Sequence, residues 1–206
     1  MAARVHFESK HTSIPTNNIT GNGTINQVAK FTGANSIGDG LITDNGTSVN
    51  NTGAGGVTTN TAFGLDALIS NTTGTSNTAS GYQSLNSNIT GGANIASGYQ
   101  SLRYNTTGNN NVSSGYQSLY RNTSGTNNTA SGFRSLHNNI TGSSNVASGY
   151  ESLRNNGTGG ANTAVGTASL QNNTASNNTA VGFEAAYSNT TGTGITALGN
   201  QSLKNN

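Results

Sequence analysis

Residues 77–93 read N-T-A-S-G-Y-Q-S-L-N-S-N-I-T-G-G-A, and residues 94–110 follow with N-I-A-S-G-Y-Q-S-L-R-Y-N-T-T-G-N-N. The pattern continues to the last residue, and a repeat of this kind decides the fold before any local feature does. The glycine of its A-x-G core recurs at Gly64, Gly81, Gly98, Gly115, Gly132, Gly149, Gly166, Gly182 and Gly199, in steps of 17 six times, then 16, then 17. Four residues after each glycine stands Leu68, Leu85, Leu102, Leu119, Leu136, Leu153, Leu170, Ala186 or Leu203. Three further on comes an asparagine, from Asn71 and Asn88 to Asn189 and Asn206. A second glycine (Gly74, Gly91, Gly108, Gly125, Gly142, Gly159, Gly192) closes most units. The short unit, with Q-N-N-T-A-S-N at 171–177, lacks it, so the deletion falls in a turn, where it is best tolerated.

Composition narrows the class. Of 206 residues 30% are hydrophobic and 7% charged, with 29 glycines and one proline. Low hydrophobicity suits disorder, but disordered chains are typically charged and poor in β-branched residues. Here charges are few, and Thr, Ile and Val recur in register, so the chain reads as regular β structure. A net charge of +2 is too slight to imply a nucleic-acid partner. Without cysteine there is neither a disulfide framework nor a thiolate metal site. No apolar run is long enough to span a membrane. The first residues, M-A-A-R-V-H-F-E-S-K-H, hold no apolar core of a secretory signal, which argues against a conventionally secreted adhesin.

Four parts are expected. Residues 1–18 form an N-terminal arm with Val5, Phe7 and Ile14 as its large apolar residues, either a flexible end or a docking peptide for a larger assembly. Residues 19–51 form a small β module of short runs (25–32, 40–43, 47–49), with Asp44-Asn45-Gly46 as a hairpin signal between the last two. Residues 52–59 are a glycine-rich connector, and 60–206 are the repeat domain.

Within a unit, A-x-G-Y-x-S-L alternates like a strand, with Ala79, Gly81 and Leu85 on one face and Thr78, Ser80 and Tyr82 on the other. The N-x-T-G tail is turn chemistry. No 3.6-residue apolar stripe supports a helix. Each unit thus makes one coil of a parallel β-solenoid of nine ~17-residue repeats, about 40 Å long at ~4.8 Å per rung. Leucines, aromatics (Tyr82, Tyr99, Tyr116, Phe133, Tyr150, Phe183), asparagines and the glycines Gly81, Gly98, Gly115, Gly132 and Gly149 should each stack in ladders. One Leu, one Ala and one aromatic per coil, at ~1.5–3 kcal/mol per large buried side chain, fall short of ~1–2 kcal/mol of backbone entropy per residue. The deficit points to oligomerisation. Three chains are expected because a threefold lets one narrow face of each meet at an axis.

The repeat, as in N-T-A-V-G-T-A-S-L at 162–170, resembles the A-x-G-x-x-S repeats of trimeric autotransporter adhesin heads, and more closely those of phage and other trimeric fibre proteins. Residues 28–49, V-A-K-F-T-G-A-N-S-I-G-D-G-L-I-T-D-N-G-T-S-V, are similar to a short motif that precedes the shaft or tip of phage fibres. Together these cover about residues 24–206. The resemblance implies a parallel, left-handed β-roll trimer serving in surface attachment. The unit is longer than is usual in autotransporter heads, and no membrane-anchor barrel follows, which disfavours an anchored adhesin. The expected protein is a non-enzymatic homotrimeric virion fibre, joined to the particle through its N-terminal arm and projecting from the virion surface toward host surface glycans or acting as a rigid spacer. A bacterial cell-surface adhesin fibre and a receptor-free structural decoration are the alternatives.

Catalytic material is poor. Glu8, Asp39, Asp44, Asp66, Glu151 and Glu184 form no spaced pair, and His6, His11 and His137 are scattered. No nucleotide or nucleophile fingerprint occurs. No catalytic residue, cofactor or metal ligand is expected; His6, Glu8 and His11 fit a metal only by spacing. The Asn-x-Ser/Thr triplets at Asn71, Asn88, Asn105, Asn122, Asn139, Asn156 and Asn189 are formal glycosylation acceptors, but their register with the turn argues for a structural role. One cluster is a candidate glycan or anionic-polymer surface. The middle units place Arg103-Tyr104, Tyr120-Arg121, His137 and Arg154 just after the leucine, with Arg134 nearby, and aromatics with arginines suit such ligands. Solvated surface decoration is the plain alternative.

Overall fold

The computed structural model describes residues 42–44, 49–51 and 59–205. The expected arm with Val5, Phe7 and Ile14, the run 25–32, most of the connector and the His6/Glu8/His11 triplet lie outside them. Two short strands, β1 (Ile42–Asp44) and β2 (Val49–Asn51), pair in a two-stranded sheet on either side of Asn45-Gly46, as the hairpin signal predicts. They lie at the boundary between two units, 1–50 and 51–206, and the second is described here by itself.

The repeats are all β. Nine three-residue strands, β3 (Thr61–Phe63), β4 (Thr78–Ser80), β5 (Ile95–Ser97), β6 (Val112–Ser114), β7 (Thr129–Ser131), β8 (Val146–Ser148), β9 (Thr163–Val165), β10 (Thr179–Val181) and β11 (Thr196–Leu198), form one parallel sheet in strict sequence order. Thr78 pairs with Ile95, Ile95 with Val112 and Val112 with Thr129, so equivalent residues stack without slippage. Each strand opens with Thr, Ile or Val, which suit the pleat, and turns one alanine or serine inward. Hydrogen bonds between rungs continue beyond the sheet: Leu85 N–H donates to the Ser101 carbonyl, Ser87 to Arg103 and Ile89 to Thr106, while Gln100 donates back to Tyr82. The coil is a β-solenoid.

The strand is shorter than the alternation suggests. It ends at the A-x-G glycine, where Gly81 has φ +133° and a Cβ would lie 2.5 Å from the Gly98 carbonyl oxygen of the next rung. No L side chain fits either restriction. Beyond it the backbone turns three times per unit through left-handed conformations at non-glycine residues. One column is Asp66, Gln83, Gln100, Gln117, Arg134, Glu151, Ala168, Glu184 and Gln201; the next is the leucine column itself; the third runs from Ser76 and Ala93 to Asn177. Their φ values lie between 48° and 64°. A left-handed residue costs roughly 1–2 kcal/mol, and a β-branched one is the worst case. None of these positions holds Val, Ile or Thr, although such residues are plentiful elsewhere in the unit. The core residue is therefore leucine because of its backbone, and its side chain reaches inward from a turn, not from a strand.

The interior differs from the expected Leu, Ala and aromatic. Leu68 to Leu170 and the strand alanines from Ala79 to Ala180 are fully enclosed, as is Ala186, whereas Ala62 in the first rung is partly buried and Leu203 in the last is half exposed, with no described rung over it. The aromatics stand outside. Their share of the interior is taken by serine and two columns of buried asparagine. Asn88 Nδ2 donates to Asn71 Oδ1 of the preceding rung at 2.8 Å and to the Gly91 carbonyl at 2.9 Å. Asn77 Nδ2 donates to that same carbonyl at 2.8 Å, and its Oδ1 accepts the Asn94 N–H at 3.0 Å. Two amides thus satisfy one turn carbonyl, and the oxygen of each accepts from the next rung, as a dry core requires. The sequons at Asn88, Asn105, Asn122 and Asn139 have their side-chain nitrogens spent in this column. In the short unit the Ala175 carbonyl replaces that of the missing glycine and accepts from both Asn162 and Asn173.

Candidate binding surface

Two columns follow the leucine on each rung. The first runs Asn86, Arg103, Tyr120, His137, Arg154, Gln171, and the second Ser87, Tyr104, Arg121, Asn138, Asn155, Asn172. The turn after each inward leucine aims both outward, so residues 17 apart in sequence become neighbours. Tyr120 and His137 stack with centroids 5.0 Å apart and planes 14° from parallel. Tyr104 meets Tyr120 edge-on, also at 5.0 Å, turned by 82°. The Arg103 guanidinium lies 5.0 Å above the Tyr104 ring and donates to the Tyr120 hydroxyl at 3.3 Å. Arg103 is therefore a brace beneath the aromatics.

A groove of ≈ 730 Å³ opens along these columns, lined by Ser87, Tyr104, Tyr120, Arg121, His137 and Asn138. Its far wall is Thr106, Thr123 and Ile140, two residues further along the same turns. The volume falls within the ~300–1,000 Å³ of small-ligand sites. Thr106 and Thr123 donate their hydroxyl hydrogens to the next rung's carbonyls at 3.0 and 3.1 Å, which fixes their rotamers and leaves oxygen lone pairs free. Asn138 Nδ2 is held by Asn155 Oδ1 at 2.8 Å. Burial lowers the His137 pKa and its contact with Asn138 at 2.9 Å opposes this, while Arg134, Arg154 and Arg121 lower it further. The imidazole is thereby held toward its neutral form. The Tyr104 phenol is raised through its hydrogen-bonding and electrostatic coupling to Tyr120, and so stays a proton donor. Arg121 is exposed and, among the described residues, makes no ion pair.

Of the residues singled out from sequence, Arg103, Tyr104, Tyr120, Arg121 and His137 come together here. Arg134 and Arg154 do not line the groove. Arg134 belongs to the left-handed glutamine column, where its Nε donates to Gln117 Oε1 at 3.2 Å and its guanidinium covers the Phe133 ring at 5.1 Å. Arg154 is drawn to Glu151 at 3.4 Å. Ser87, Thr106, Thr123, Asn138 and Ile140 escape the sequence reading because small polar residues carry no signal alone. Register was the available clue, since each shares a column with, or lies two residues from, an aromatic or arginine already in view.

A second exposed feature lies just after the strand bend. Tyr82, Tyr99, Tyr116, Phe133 and Tyr150 stack at 5.0–5.2 Å, with Tyr82 and Tyr150 38% and 51% exposed. Thr167 ends the stack before Phe183, which the expected ladder had included. Ile95, Val112, Val146 and Val165 also stand exposed on the outward face of the strands. Among the described residues no group of three or more His, Asp or Glu side chains is placed to hold a metal, and no helix is long and apolar enough to cross a membrane. Comparison with known protein families, with curated proteins and with solved structures found no match to this chain.

Proposed function

We propose that the chain is a non-enzymatic, homotrimeric fibre of a virion, of the phage tail- or head-fibre type. In this reading it is fixed to the particle through its N-terminal arm and projects the solenoid as a stiff rod for attachment to host surface glycans. The observation that carries the reading is the pairing of a self-contained interior with exposed apolar columns. Leucine and alanine are enclosed within one chain, yet the five-ring aromatic stack remains partly exposed over five successive rungs, beside a strand column in which Ile95, Val112 and Val146 are interspersed with threonines. Contiguous apolar surface of this kind is characteristic of association sites. A parallel, in-register solenoid offers it as a straight strip, which suits side-by-side assembly of identical chains. The resemblance of the repeat to trimeric fibres supplies the number three. Light scattering of the full chain should return three chain masses, and labelling of particles with antibody against the repeat domain should decorate a projecting fibre. A stable monomer sinks the trimer, and unlabelled particles sink the virion assignment.

A further inference from the structure

We propose that the groove between Tyr104 and Ile140 binds an acidic saccharide, a short chain of sugar rings carrying carboxylates, with Arg121 as its anion contact. The inference deepens the attachment reading above and rests on it for biological meaning, but its physical basis is confined to one chain.

Charge is the first argument. Residues 103–154 hold four arginines (Arg103, Arg121, Arg134, Arg154) and one acid, Glu151, which is engaged by Arg154. Arg103 and Arg134 are spent on aromatic and amide neighbours. Arg121 alone of the four both lines the groove and lacks such a partner. A guanidinium presents a planar fork that matches a carboxylate.

Ring geometry is the second. In the Tyr82–Tyr150 stack each inner ring has a neighbour on both faces and offers solvent only an edge. Tyr104 is turned 82° out of line with Tyr120, is 39% exposed and is backed by Arg103 on one face. An aromatic ring held from behind is a platform for the C–H face of a sugar, and holding it in advance reduces the ordering cost of binding.

The third is the pattern of polar groups. Ser87, Tyr104, Arg121 and Asn138 occupy one column on four successive rungs, about 14 Å at the strand spacing. The hydroxyl oxygens of Thr106 and Thr123 repeat across from them. A regularly spaced row of hydroxyl and amide groups suits a ligand that itself repeats hydroxyls. A protein partner would instead want the apolar strip on the strand side.

The test titrates the full chain, and its Arg121→Gln, Tyr104→Ser and Arg134→Gln variants, with three probes: oligogalacturonate, a neutral dextran oligosaccharide and polyglutamate. Oligogalacturonate should bind the parent chain at least about tenfold more tightly than either other probe, a difference of about 1.4 kcal/mol. R121Q and Y104S should each lose about tenfold, R134Q should match the parent, and unchanged melting of all variants should show that folding is intact. Ligand binding should also raise the His137 pKa, read from its ring proton shifts, because a carboxylate at Arg121 offsets the cations facing that imidazole (Arg121, Arg134, Arg154) while Tyr120 and Asn138 stay in place. Equal binding of polyglutamate would mean charge alone, equal binding of dextran would mean a neutral sugar, and either overturns the proposal. So do absent binding, a loss in R134Q equal to that in R121Q, or an unmoved His137. A monomer that still binds oligogalacturonate would remove the trimer and keep the groove; a trimer that binds nothing would do the reverse.

Discussion

The inner asparagine column and the outer tyrosine column recur with the same 17-residue period, yet they obey different rules. Asn71, Asn88, Asn105, Asn122, Asn139, Asn156, Asn173 and Asn189 hold one residue type without exception, whereas the aromatic position passes from Tyr to Phe133, then to Thr167. The asparagines are enclosed and use both ends of the amide between rungs; the rings touch one another while half their surface meets water. Repetition alone does not separate core from surface. What separates them is how many neighbours a substitution leaves unsatisfied.

The largest effect that could break this contrast is Asn122→Ala. The change strands Asn105 Oδ1 in the interior and takes one of two partners from both Asn139 Nδ2, which keeps the Gly142 carbonyl, and the Gly125 carbonyl, which keeps Asn111. At ~1–3 kcal/mol for each buried polar group left unpaired, the loss should be several kcal/mol. Denaturant unfolding measures it; a cost below ~1 kcal/mol would mean the amide column is decoration. Next comes Leu119→Ile, which keeps the volume but places a β-branched side chain at φ +48°. It should cost roughly 1–2 kcal/mol more than the usual penalty for such a swap, seen as a lower urea midpoint with an unchanged slope. Leu119→Met, unbranched at Cβ, should cost less than Ile, and the reverse order would remove the backbone explanation. Smallest in a single chain is Tyr116→Ser. It forfeits two ring contacts worth about 0.5–1.5 kcal/mol each and opens no cavity. If the aromatic strip joins chains, however, the same change should lower the mass in solution far more than it lowers the melting temperature.

The architecture was legible in sequence because a solenoid writes its geometry as period and register. The spacing of Gly81 and Gly98 gave the rung, Thr78 and Ile95 the strand, and Asn45-Gly46 the hairpin. Less legible was the direction of each side chain. Alternation from Ala79 to Leu85 mimics a strand, but after Gly81 the chain follows left-handed turns, in which the period of two has no meaning. One aromatic per coil is expected among the buried residues, and asparagine reads as turn chemistry; the interior holds asparagine instead. An amide can hydrogen-bond above, below and sideways at once, so the enclosed column satisfies its own polar groups. The candidate groove was half legible. Arg103, Tyr104, Tyr120, Arg121 and His137 stand out as residue types, but Arg134, by its place in the left-handed column, is drawn to Gln117 and Phe133 and does not line the groove.

The amide column also has a sense of direction. Each asparagine gives its hydrogen to the rung before it and leaves its own oxygen for the rung after, so every rung ordered presents the acceptor the next one needs. An ordered rung therefore offers an acceptor on one side and a donor on the other, so each tooth of the row templates both of its neighbours. One tooth is missing. Asn173 does not reach Asn156, whose oxygen takes the Asn162 amide at 3.4 Å instead, and the row resumes with Asn189 donating to Asn173 at 2.8 Å. The residue deleted from the 171–177 turn thus interrupts the amide row at one rung, while the backbone bonds from Leu153 to Ser169 and from Asn155 to Gln171 carry the coil across the gap.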